Sequence, residues 1–599
     1  MAKSSSSSIA HYFAKLETAP SVLGKRTRFS APDDASSVLA GCTVSMLGLS
    51  RAKAARVEAI VAALGGETTT VASARWRATY VVVDYWLPLS RPATNAICVT
   101  LHWLEQVQKS QRRLCTSDSC FFAPPLPCAR LLYPIDDSYV DCWDAAHLRL
   151  PSSPHHISDE GVPLWPYVAG LLAQPLTTID ALQNAILQIV GSSLAPRSLL
   201  GLYKAIQALP PHDAHVFLAQ VLPWMQTLAL ELPLLFLTSP PLLRRGKSAS
   251  VTLTKRQTAC LLVHGFFCTH VPDVPKTFPH AINFWRLHAA RSHGQHWRSS
   301  APMVQKLVCL LHYFVRLQLS TSWTQCVTFG RTHDDDPPPT STACPWTSVV
   351  VCMNGAIEAD MGAVQIDFAN KFAGGGVLGH GCVQEEIRFV INPECIVACA
   401  LTEVLGDNER FYVVGTEQYA RYRGYGATFA FDGDFVDATP VDAVTKCRDT
   451  VIVGIDATKY ASHCVHHQYR VQDMRRELHK ACVGFGALPD EPLTAPHRAI
   501  ATGNWGCGVF GGDVQLKFLL QWVAASLQGR STLRYYTFQH AALVNCLENT
   551  VQDVKTRYSV RDVLVFLASY TPVAGIDVFA ALSRHTAVET RARGTLIDA

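Results

Sequence analysis

The stretch that decides the fold is QIDFANKFAGGGVLGHGCVQEEIR, residues 365–388. An apolar, alternating run over 362–368 predicts a β-strand that carries Asp367 near its end. Gly374–Gly376 then allow the backbone to approach a ligand closely with its N–H groups exposed. Gln384–Glu386 open an apolar helix that is expected to end near Pro393. The pattern is that of a strand, a ligand-binding loop and a helix.

Two explanations fit the adjacent acids Glu385 and Glu386. Acidic side chains at a helix N-terminus are favoured by the helix dipole, which would make both residues structural. Adjacent carboxylates directly after a glycine-rich loop also suit a site where an anion lies on the loop and an acid acts beside it. The residues alone leave both explanations open.

A second glycine-rich segment is ATGNWGCGVFGGD, residues 501–513. A helix is predicted over 515–526, with Asp513 as its N-cap. A diphosphate is the natural ligand of a loop that binds anions and leads into a helix. The pattern GxxxxGK[ST] of nucleoside-triphosphate loops does not occur, nor does GxGxxG directly after the first strand.

Together the two segments resemble the poly(ADP-ribose) glycohydrolase family, whose signature is a triple glycine, a short spacer and Gln-Glu-Glu. The match here is GGGVLGHGCVQEE, residues 374–386, and blocks such as RQTACLLVHGFFC, RYRGY and ATGNWGCGVFGGD extend it over roughly 142–599. The resemblance implies an α/β fold with a macrodomain-like glycohydrolase domain over 346–599. It also implies an all-α accessory domain over 142–345.

The resemblance further implies that Glu386 is the general acid and base. Glu385 would be its partner in holding the ribose, and Asp367 would help to order the site. Glu358 is expected at the adenine edge, and Tyr425 over the nucleotide. The full set of implied substrate-binding residues is Gly374, Gly375, Gly376, Gln384, Asn370, Glu358, Tyr425, Asn504, Gly506, Gly508, Phe510, Gly511 and Phe538. Phe538 matches the residue on which adenine stacks, although an ordinary core aromatic is the alternative at that position.

The implied reaction is hydrolysis of the ribose–ribose O-glycosidic bonds of poly(ADP-ribose), with release of ADP-ribose. It requires no metal and no cofactor, and His463, His466 and His467 are interpreted as solvated side chains. One alternative is a non-catalytic ADP-ribose reader that serves as a scaffold in DNA-damage signalling. Another is a metal-dependent ADP-ribosyl hydrolase, which would need clustered aspartates that the sequence does not place near the glycine loops.

Composition limits these interpretations. The chain has 599 residues, 48% hydrophobic and 17% charged, with a net charge of +4. This length predicts roughly three to five domains, and the composition excludes a fully disordered or fibrous chain. The net charge provides no overall basic surface. The apolar stretch 217–243 contains several prolines and Glu231, so it predicts buried helices and not a membrane span.

Residues 39–130 form a different unit. Their predicted order is strand, helix, Gly65-Gly66, three strands and a final helix that contains Trp103. This order resembles a BRCT domain, which implies a protein partner. Ser45 and Gly48 are the rough candidates for a phosphate contact, and no suitable lysine is evident.

Residues 1–38 are predicted to be a flexible tail. Ile9, Tyr12 and Phe13 have the spacing of a one-turn helix and resemble the peptide that docks on the replication sliding clamp, with Ser6 in place of the usual Gln. The cluster Lys25-Arg26-Thr27-Arg28 suggests nuclear import, and chance occurrence is the alternative for both features. No signal peptide is evident, so the 20 cysteines are expected to be reduced thiols. We expect a nuclear protein, with the cytoplasm as a further compartment.

Overall fold

The computed structural model describes most of the chain from residue 38 to residue 585. The described ranges are 38–47, 51–69, 78–83, 97–111, 130–131, 141–191, 199–236, 238–271, 277–278, 281–289, 301–320, 322–335, 344–443, 445–488 and 497–585. The clamp-like peptide, the basic cluster and Gly48 lie outside these ranges.

The N-terminal unit is a four-stranded parallel sheet in the order β2-β1-β3-β4. Its strands are β1 Thr43–Leu47, β2 Glu67–Thr69, β3 Tyr80–Val83 and β4 Ile97–Thr100. Helix Arg51–Ala63 joins β1 to β2 and is followed by Gly65 with a φ of +74°, a backbone conformation that favours glycine. Trp103, in helix Leu101–Ser110, is fully buried against Tyr80, with a ring-centroid distance of 4.8 Å. The predicted order of these elements is confirmed.

The rest of the chain is built on a nine-stranded sheet in the order β5-β6-β7-β10-β13-β9-β14-β15-β8. Five neighbouring strands, from β13 to β8, run parallel, whereas β6, β7 and β10 pair in antiparallel fashion. The strands are β5 Arg130–Leu131, β6 Ala249–Thr254, β7 Cys326–His333, β8 Ser348–Cys352, β9 Val364–Ala369, β10 Glu409–Gly415, β13 Arg448–Asp456, β14 Ile500–Gly503 and β15 Thr532–Tyr536. A separate antiparallel hairpin pairs β11 Ala420–Arg423 with β12 Ala430–Asp434.

Both faces of this sheet are covered. Successive side chains of a strand point to opposite faces, so Val451 and Val453 of β13 join one apolar core whereas Ile452 joins the other. The core that includes Ile452 contains the helices that precede β8 and helix Gln384–Ile391. The core that includes Val451 and Val453 contains the C-terminal helices, which are Val471–Phe485, Val514–Leu527, Ala541–Arg557, Val560–Ser569 and Val578–Arg584.

The segment 142–345 is mainly helical. Its helices are Trp165–Leu172, Ile179–Val190, Leu200–Ala208, Pro211–Val216, Leu222–Leu230, Leu232–Leu235, Lys255–Phe266, Trp285–Ala289 and Ala301–Gln318, with a π-helical turn at Phe217–Val221. The expectation of an all-α domain is wrong at β6 and β7, which lie in this segment and extend the large sheet. Both strands are largely buried, and β6 (ASVTLT) does alternate apolar and polar residues, a signal that the helical periodicity of the surrounding segment outweighed.

A buried ion pair joins this segment to the macrodomain-like part. Arg331 of β7 pairs with Glu409 of β10, and both side chains are fully buried. The guanidinium also donates to the carbonyl oxygens of Leu243, Glu403 and Val404. The helical segment and the sheet therefore share strands, a core and a buried polar network.

Two further expectations concern the cysteines and the apolar stretch. The cysteines within the described ranges form no disulfide bonds, and most of them are buried. Within the same ranges, no helix has both the length and the apolar character needed to cross a membrane. Within the stretch 217–243, residues 217–235 form short helices that contribute to the core, as predicted.

Candidate active site

The first glycine loop is folded around the Glu385 carboxylate. Its Oε2 accepts a hydrogen bond from the N–H of Asn370 at 2.8 Å, and its Oε1 accepts one from the N–H of Gly374 at 2.7 Å. Asn370 directly follows β9, and Glu385 lies in the first turn of helix Gln384–Ile391. The Glu385 carboxylate therefore ties the start of the loop to the start of the helix.

Glu386 is held in a similar way by the second half of the loop. Its Oε1 accepts the N–H of Gly376 and its Oε2 accepts the N–H of Val383, both at 2.9 Å. The residue is 7% exposed, compared with 3% for Glu385. A Cβ atom at Gly375 would lie 2.5 Å from Glu385 Oε2 and 2.7 Å from Glu386 Oε1. The two carboxylates occupy the space that a side chain would need, which explains the glycine at this position.

Asp367 lies at the level of β9, beneath the loop. It is 1% exposed, and neither carboxyl oxygen has a hydrogen-bond partner among the described residues. Burial raises the pKa of Asp367 to about 8, the Arg388 guanidinium opposes this rise and the Glu386 carboxylate adds to it. Burial also raises the pKa of Glu385 well above its ordinary value, with Asp367 and Glu386 contributing in the same direction. A pair of buried acids with raised pKa values therefore supports the loop.

A cavity of about 990 Å³ lies beside the loop. Val383 and Gln384 form the part of its wall nearest to Glu386, and Arg388 lines it one helical turn further on. The Gln384 side chain is fixed, because its Oε1 accepts the Phe368 N–H at 2.7 Å and its Nε2 donates to the Ile366 carbonyl at 3.2 Å. The predicted substrate-binding residues that line this cavity are Glu358, Gln384, Tyr425, Asn504, Gly506, Gly508, Phe510 and Phe538.

The other predicted residues do not line the cavity. These are Asp367, Asn370, Gly374, Gly375, Gly376, Glu385, Glu386 and Gly511. The Asn370 side chain instead accepts the N–H of Phe372 at 3.1 Å, so it shapes the loop. Gly511 donates its N–H to the Gly508 carbonyl within the second loop. Most of these residues form the loop and its support, immediately behind the Val383–Gln384 wall.

Two exposed aromatic rings close one end of the cavity. Phe538 and Tyr425 have a ring-centroid distance of 5.1 Å and an interplanar angle of 63°. Phe538 is 71% exposed, which rejects the alternative of an ordinary core aromatic. It also has a φ of +56°, and Gln539 has a φ of +62°. Two consecutive non-glycine residues in the left-handed region indicate local strain of the kind that clusters at ligand sites.

The acid predicted at the adenine edge is also fixed in place. Glu358 Oε1 accepts a hydrogen bond from the Tyr422 hydroxyl at 2.6 Å. Tyr422 lies in β11, and the following turn carries Tyr425, whose hydroxyl accepts the Gln384 N–H at 3.1 Å. The β11–β12 hairpin thus connects this end of the cavity to the start of the Glu385–Glu386 helix.

The second glycine loop follows β14 and forms another part of the wall. Gly506 has a φ of +76°, and its carbonyl accepts the Gly512 N–H at 2.9 Å. Asn504 accepts the Tyr535 hydroxyl at 3.0 Å through its Oδ1. Asp513 caps helix Val514–Leu527 by accepting the Leu516 N–H at 2.8 Å, as predicted. Because the cap occupies part of the helix N-terminus, an anion would meet the loop amides before the helix itself.

The comparisons with known proteins point to one family. Residues 338–545 match the poly(ADP-ribose) glycohydrolase Macro domain fold, and residues 209–331 match the helical domain of the same family. Probable poly(ADP-ribose) glycohydrolase 2 of Arabidopsis thaliana is 31% identical over 425 residues, which cover 60% of this chain and 79% of that protein. Poly(ADP-ribose) glycohydrolase 1 of the same plant is 32% identical over 412 residues, covering 55% of this chain and 71% of its own length. The chain belongs to the poly(ADP-ribose) glycohydrolase family.

A further relative is poly(ADP-ribose) glycohydrolase 2 of Caenorhabditis elegans. It is 37% identical over 205 residues, which cover 32% of this chain and 41% of that protein. The family match includes both glycine loops and the Gln384–Glu386 helix. The site described above therefore lies within the part of the chain that carries the poly(ADP-ribose) glycohydrolase likeness.

Two site residues were missed at the level of sequence. Arg388 is 5% exposed and lines the cavity, and its positive charge acts to lower the pKa of Asp367. Tyr422 holds Glu358. Both residues stand inside segments that marked this glycohydrolase family, three residues from Glu385 and Tyr425 respectively. The signal that could have found Arg388 is its place one turn after Glu385 on the same helix face.

The loop geometry predicts a sharp difference between two glycines. A Cβ atom at Gly381 would overlap the Glu386 carboxylate, whereas one at Gly379 would meet only the Gly376 carbonyl oxygen at 3.7 Å. We expect Gly381→Ala to lower the rate of poly(ADP-ribose) hydrolysis by about 100-fold, because small displacements of a reacting group have effects of this order. Gly379→Ala is the matched control and should stay within a few-fold of wild type. Equal rates for the two variants would contradict this account of the loop.

The buried state of Asp367 predicts a pH-dependent stability. Its pKa is about 8 in the folded chain and 3.8 ordinarily. Its contribution is therefore fully present below about pH 4 and is lost as the pH rises through about 8. Because Asn cannot titrate, the stability of Asp367→Asn relative to wild type should increase between pH 5 and pH 8, by up to about 1.4 kcal/mol per pH unit.

Urea unfolding at both pH values measures this effect. Asp553→Asn, at a solvent-accessible ion pair with Arg557, is the control for an acid-to-amide change and should show little pH dependence. A relative stability of Asp367→Asn that is the same at both pH values would rule out the raised pKa.

Proposed function

We propose that this chain hydrolyses the ribose–ribose O-glycosidic bonds of poly(ADP-ribose) and releases ADP-ribose, with Glu386 as general acid and base. Family membership supports the reaction. The observation that carries the assignment to Glu386 is its fixed carboxylate, which the N–H groups of Gly376 and Val383 hold directly behind the cavity wall.

In this mechanism Glu386 protonates the departing ribose hydroxyl. An oxocarbenium-like centre forms, and the same carboxylate then removes a proton from the attacking water. Each Glu386 oxygen uses one acceptor position for a backbone N–H and retains another for the substrate. The backbone hydrogen bonds orient the carboxylate and leave an acceptor position free on each oxygen.

The neighbouring acids are assigned supporting parts. Both acids accept loop N–H groups, but Glu385 is the more buried of the two, at 3% exposed against 7% for Glu386, so it would hold the ribose through the loop. Asp367 is buried under the loop and would maintain the arrangement from behind. This division leaves Glu386 as the acid that reacts.

The cavity walls support a placement for the rest of the substrate. Adenine would stack on Phe538 and meet Glu358, with Tyr425 over the nucleotide, because these residues line the aromatic end. The diphosphate would lie along the second loop, at Asn504, Gly506, Gly508 and Phe510. Neutral loop amides bind such an anion locally, so the near-zero net charge is no obstacle.

We expect Glu386→Gln to lower polymer hydrolysis by at least about 1,000-fold, since general acid–base groups contribute effects of this order. Binding of ADP-ribose, measured by calorimetry, should stay within a few-fold because the cavity walls are unchanged. Turnover near that of wild type would overturn the assignment. Loss of ADP-ribose binding as well would show that the substitution disturbs the cavity.

A digest of automodified protein separates the remaining alternatives. The substrate is poly(ADP-ribose) attached to its carrier, incubated with the full chain in the presence and absence of EDTA. Release of ADP-ribose that EDTA does not affect is the expected result. Retained polymer would favour a non-catalytic reader, and EDTA-sensitive release would favour a metal-dependent hydrolase.

We further propose that the N-terminal unit is a BRCT-like module that binds a protein partner without a phosphate contact. Its parallel sheet and buried Trp103 support the likeness. Ser45, the rough phosphate candidate, is 1% exposed, and its hydroxyl donates to the Thr69 carbonyl at 3.3 Å. A partner that binds this unit equally before and after phosphatase treatment would agree with the proposal. Binding that requires phosphate would contradict it.

The tail carries two proposals of its own. Ile9, Tyr12 and Phe13 would bind the sliding clamp, which a pull-down with full-length chain and an Ile9→Ala/Tyr12→Ala/Phe13→Ala variant tests. The cluster Lys25-Arg26-Thr27-Arg28 would direct the chain to the nucleus, and an unchanged distribution after its replacement by alanines would refute this. The tail lies outside the described ranges, so both proposals rest on sequence.

A further inference from the structure

The first glycine loop surrounds a buried ammonium group from the helical segment. Lys306, in helix Ala301–Gln318, is fully buried. Its Nζ donates to the carbonyl oxygens of Val377 at 2.8 Å, Gly379 at 2.7 Å and Gly381 at 2.5 Å. The carbonyl oxygen of Gly376 lies 3.4 Å from the same atom. A single ammonium group thus binds four backbone carbonyls within residues 376–381.

This arrangement differs from that of the other buried lysines in the described ranges. Lys255, Lys480 and Lys517 each form an ion pair with a carboxylate, at Glu417, Asp456 and Glu477 respectively. Among the described residues, Lys306 has no carboxylate within ion-pair distance, and its partners are loop carbonyls alone. Burial of a charge costs free energy unless the charge is fully hydrogen-bonded. An apolar side chain would fill the same space without that cost, so filling space does not explain the lysine.

The protonation state of Lys306 is consistent with these bonds. Burial lowers its pKa to about 8, while Cys382 and Glu386 act to raise it. The amine is therefore mainly protonated at pH 7 and has three N–H donors. These donors suffice for the three short contacts, with the longer Gly376 contact shared.

The tethered carbonyls lie between the two backbone groups that orient Glu386. The N–H of Gly376 precedes this stretch and the N–H of Val383 follows it. Gly381, the last tethered residue, has no space for a side chain because the Glu386 carboxylate is packed against it. Any relaxation of residues 376–381 would therefore move the groups that aim the carboxylate.

We infer that Lys306 is a positioning residue that holds the loop 376–381 in the form whose N–H groups orient Glu386. The inference deepens the proposed function and rests on it for the consequence in catalysis. It also gives the helical segment a part in the reaction. No described residue of that segment lines the cavity, so its contribution comes through the loop.

The decisive variant is Lys306→Met, which has a similar length but cannot donate. We expect kcat for polymer hydrolysis to fall by about 100-fold while the Kd for ADP-ribose changes less than about threefold. Lys480→Met is the matched control, because Lys480 is a buried lysine that donates to the carbonyls of Gly406 and Glu409 outside the site. It should lower stability and leave kcat within a few-fold. An unchanged kcat in Lys306→Met, or an equal loss of kcat and ADP-ribose binding, would overturn the inference.

Amide hydrogen exchange provides a readout that does not depend on activity. Lys306→Met should exchange faster at Gly376–Val383 and remain unchanged at 501–513. Unaltered exchange in the first loop would refute the positioning role, whereas a wild-type chain that releases no ADP-ribose would refute the proposed function alone. If Lys306→Met does not fold, Lys306→Ala with added propylammonium decides the question. Recovery of loop protection over a potassium chloride control supports the inference, and no recovery overturns it.

Discussion

Two adjacent carboxylates at the start of one helix hold the loop that precedes it. Glu385 accepts the N–H groups of Asn370 and Gly374, and Glu386 accepts those of Gly376 and Val383. A backbone that wraps two buried acids so closely has no space for Cβ atoms at several positions. Gly375 and Gly381 are thus required by the two carboxylates, whereas Gly374 is confined by Cys399 and Phe389 and Gly376 by the Gly381 backbone.

Burial of this arrangement determines its electrostatics. Glu385 and Asp367 have raised pKa values because they are desolvated next to other acids. Two cations moderate this accumulation of negative charge: Arg388 on the same helix, and Lys306 from the helical segment. The helical segment therefore contributes residues to the sheet and to the loop as well as covering one face of the sheet. It supplies two strands to the sheet, a buried arginine on Glu409 and the ammonium beneath the loop.

One end of the cavity lies beside the first glycine loop, and the other end is aromatic and more exposed. Both Glu386 oxygens have a backbone N–H partner, and these bonds fix the carboxylate. At the other end Phe538 and Tyr425 are exposed, and Phe538 has a strained backbone. Under the proposed function, the aromatic rings would bind a nucleotide unit and the loop would place the bond that follows it against Glu386.

Local sequence patterns determined much of this protein. Alternation along β9, the glycines of both loops, the Asp513 cap and the Glu385–Glu386 pair are all properties of neighbouring residues, and the strand and the two helices that they predict are present. The tertiary structure alone decided which loop N–H groups each acid accepts, those of Asn370 and Gly374 for Glu385 and those of Gly376 and Val383 for Glu386. It also decided that β6 and β7 extend the sheet and that Lys306 reaches a loop some 70 residues further along the chain. These features depend on contacts between distant segments, which the periodicity of a single stretch does not specify.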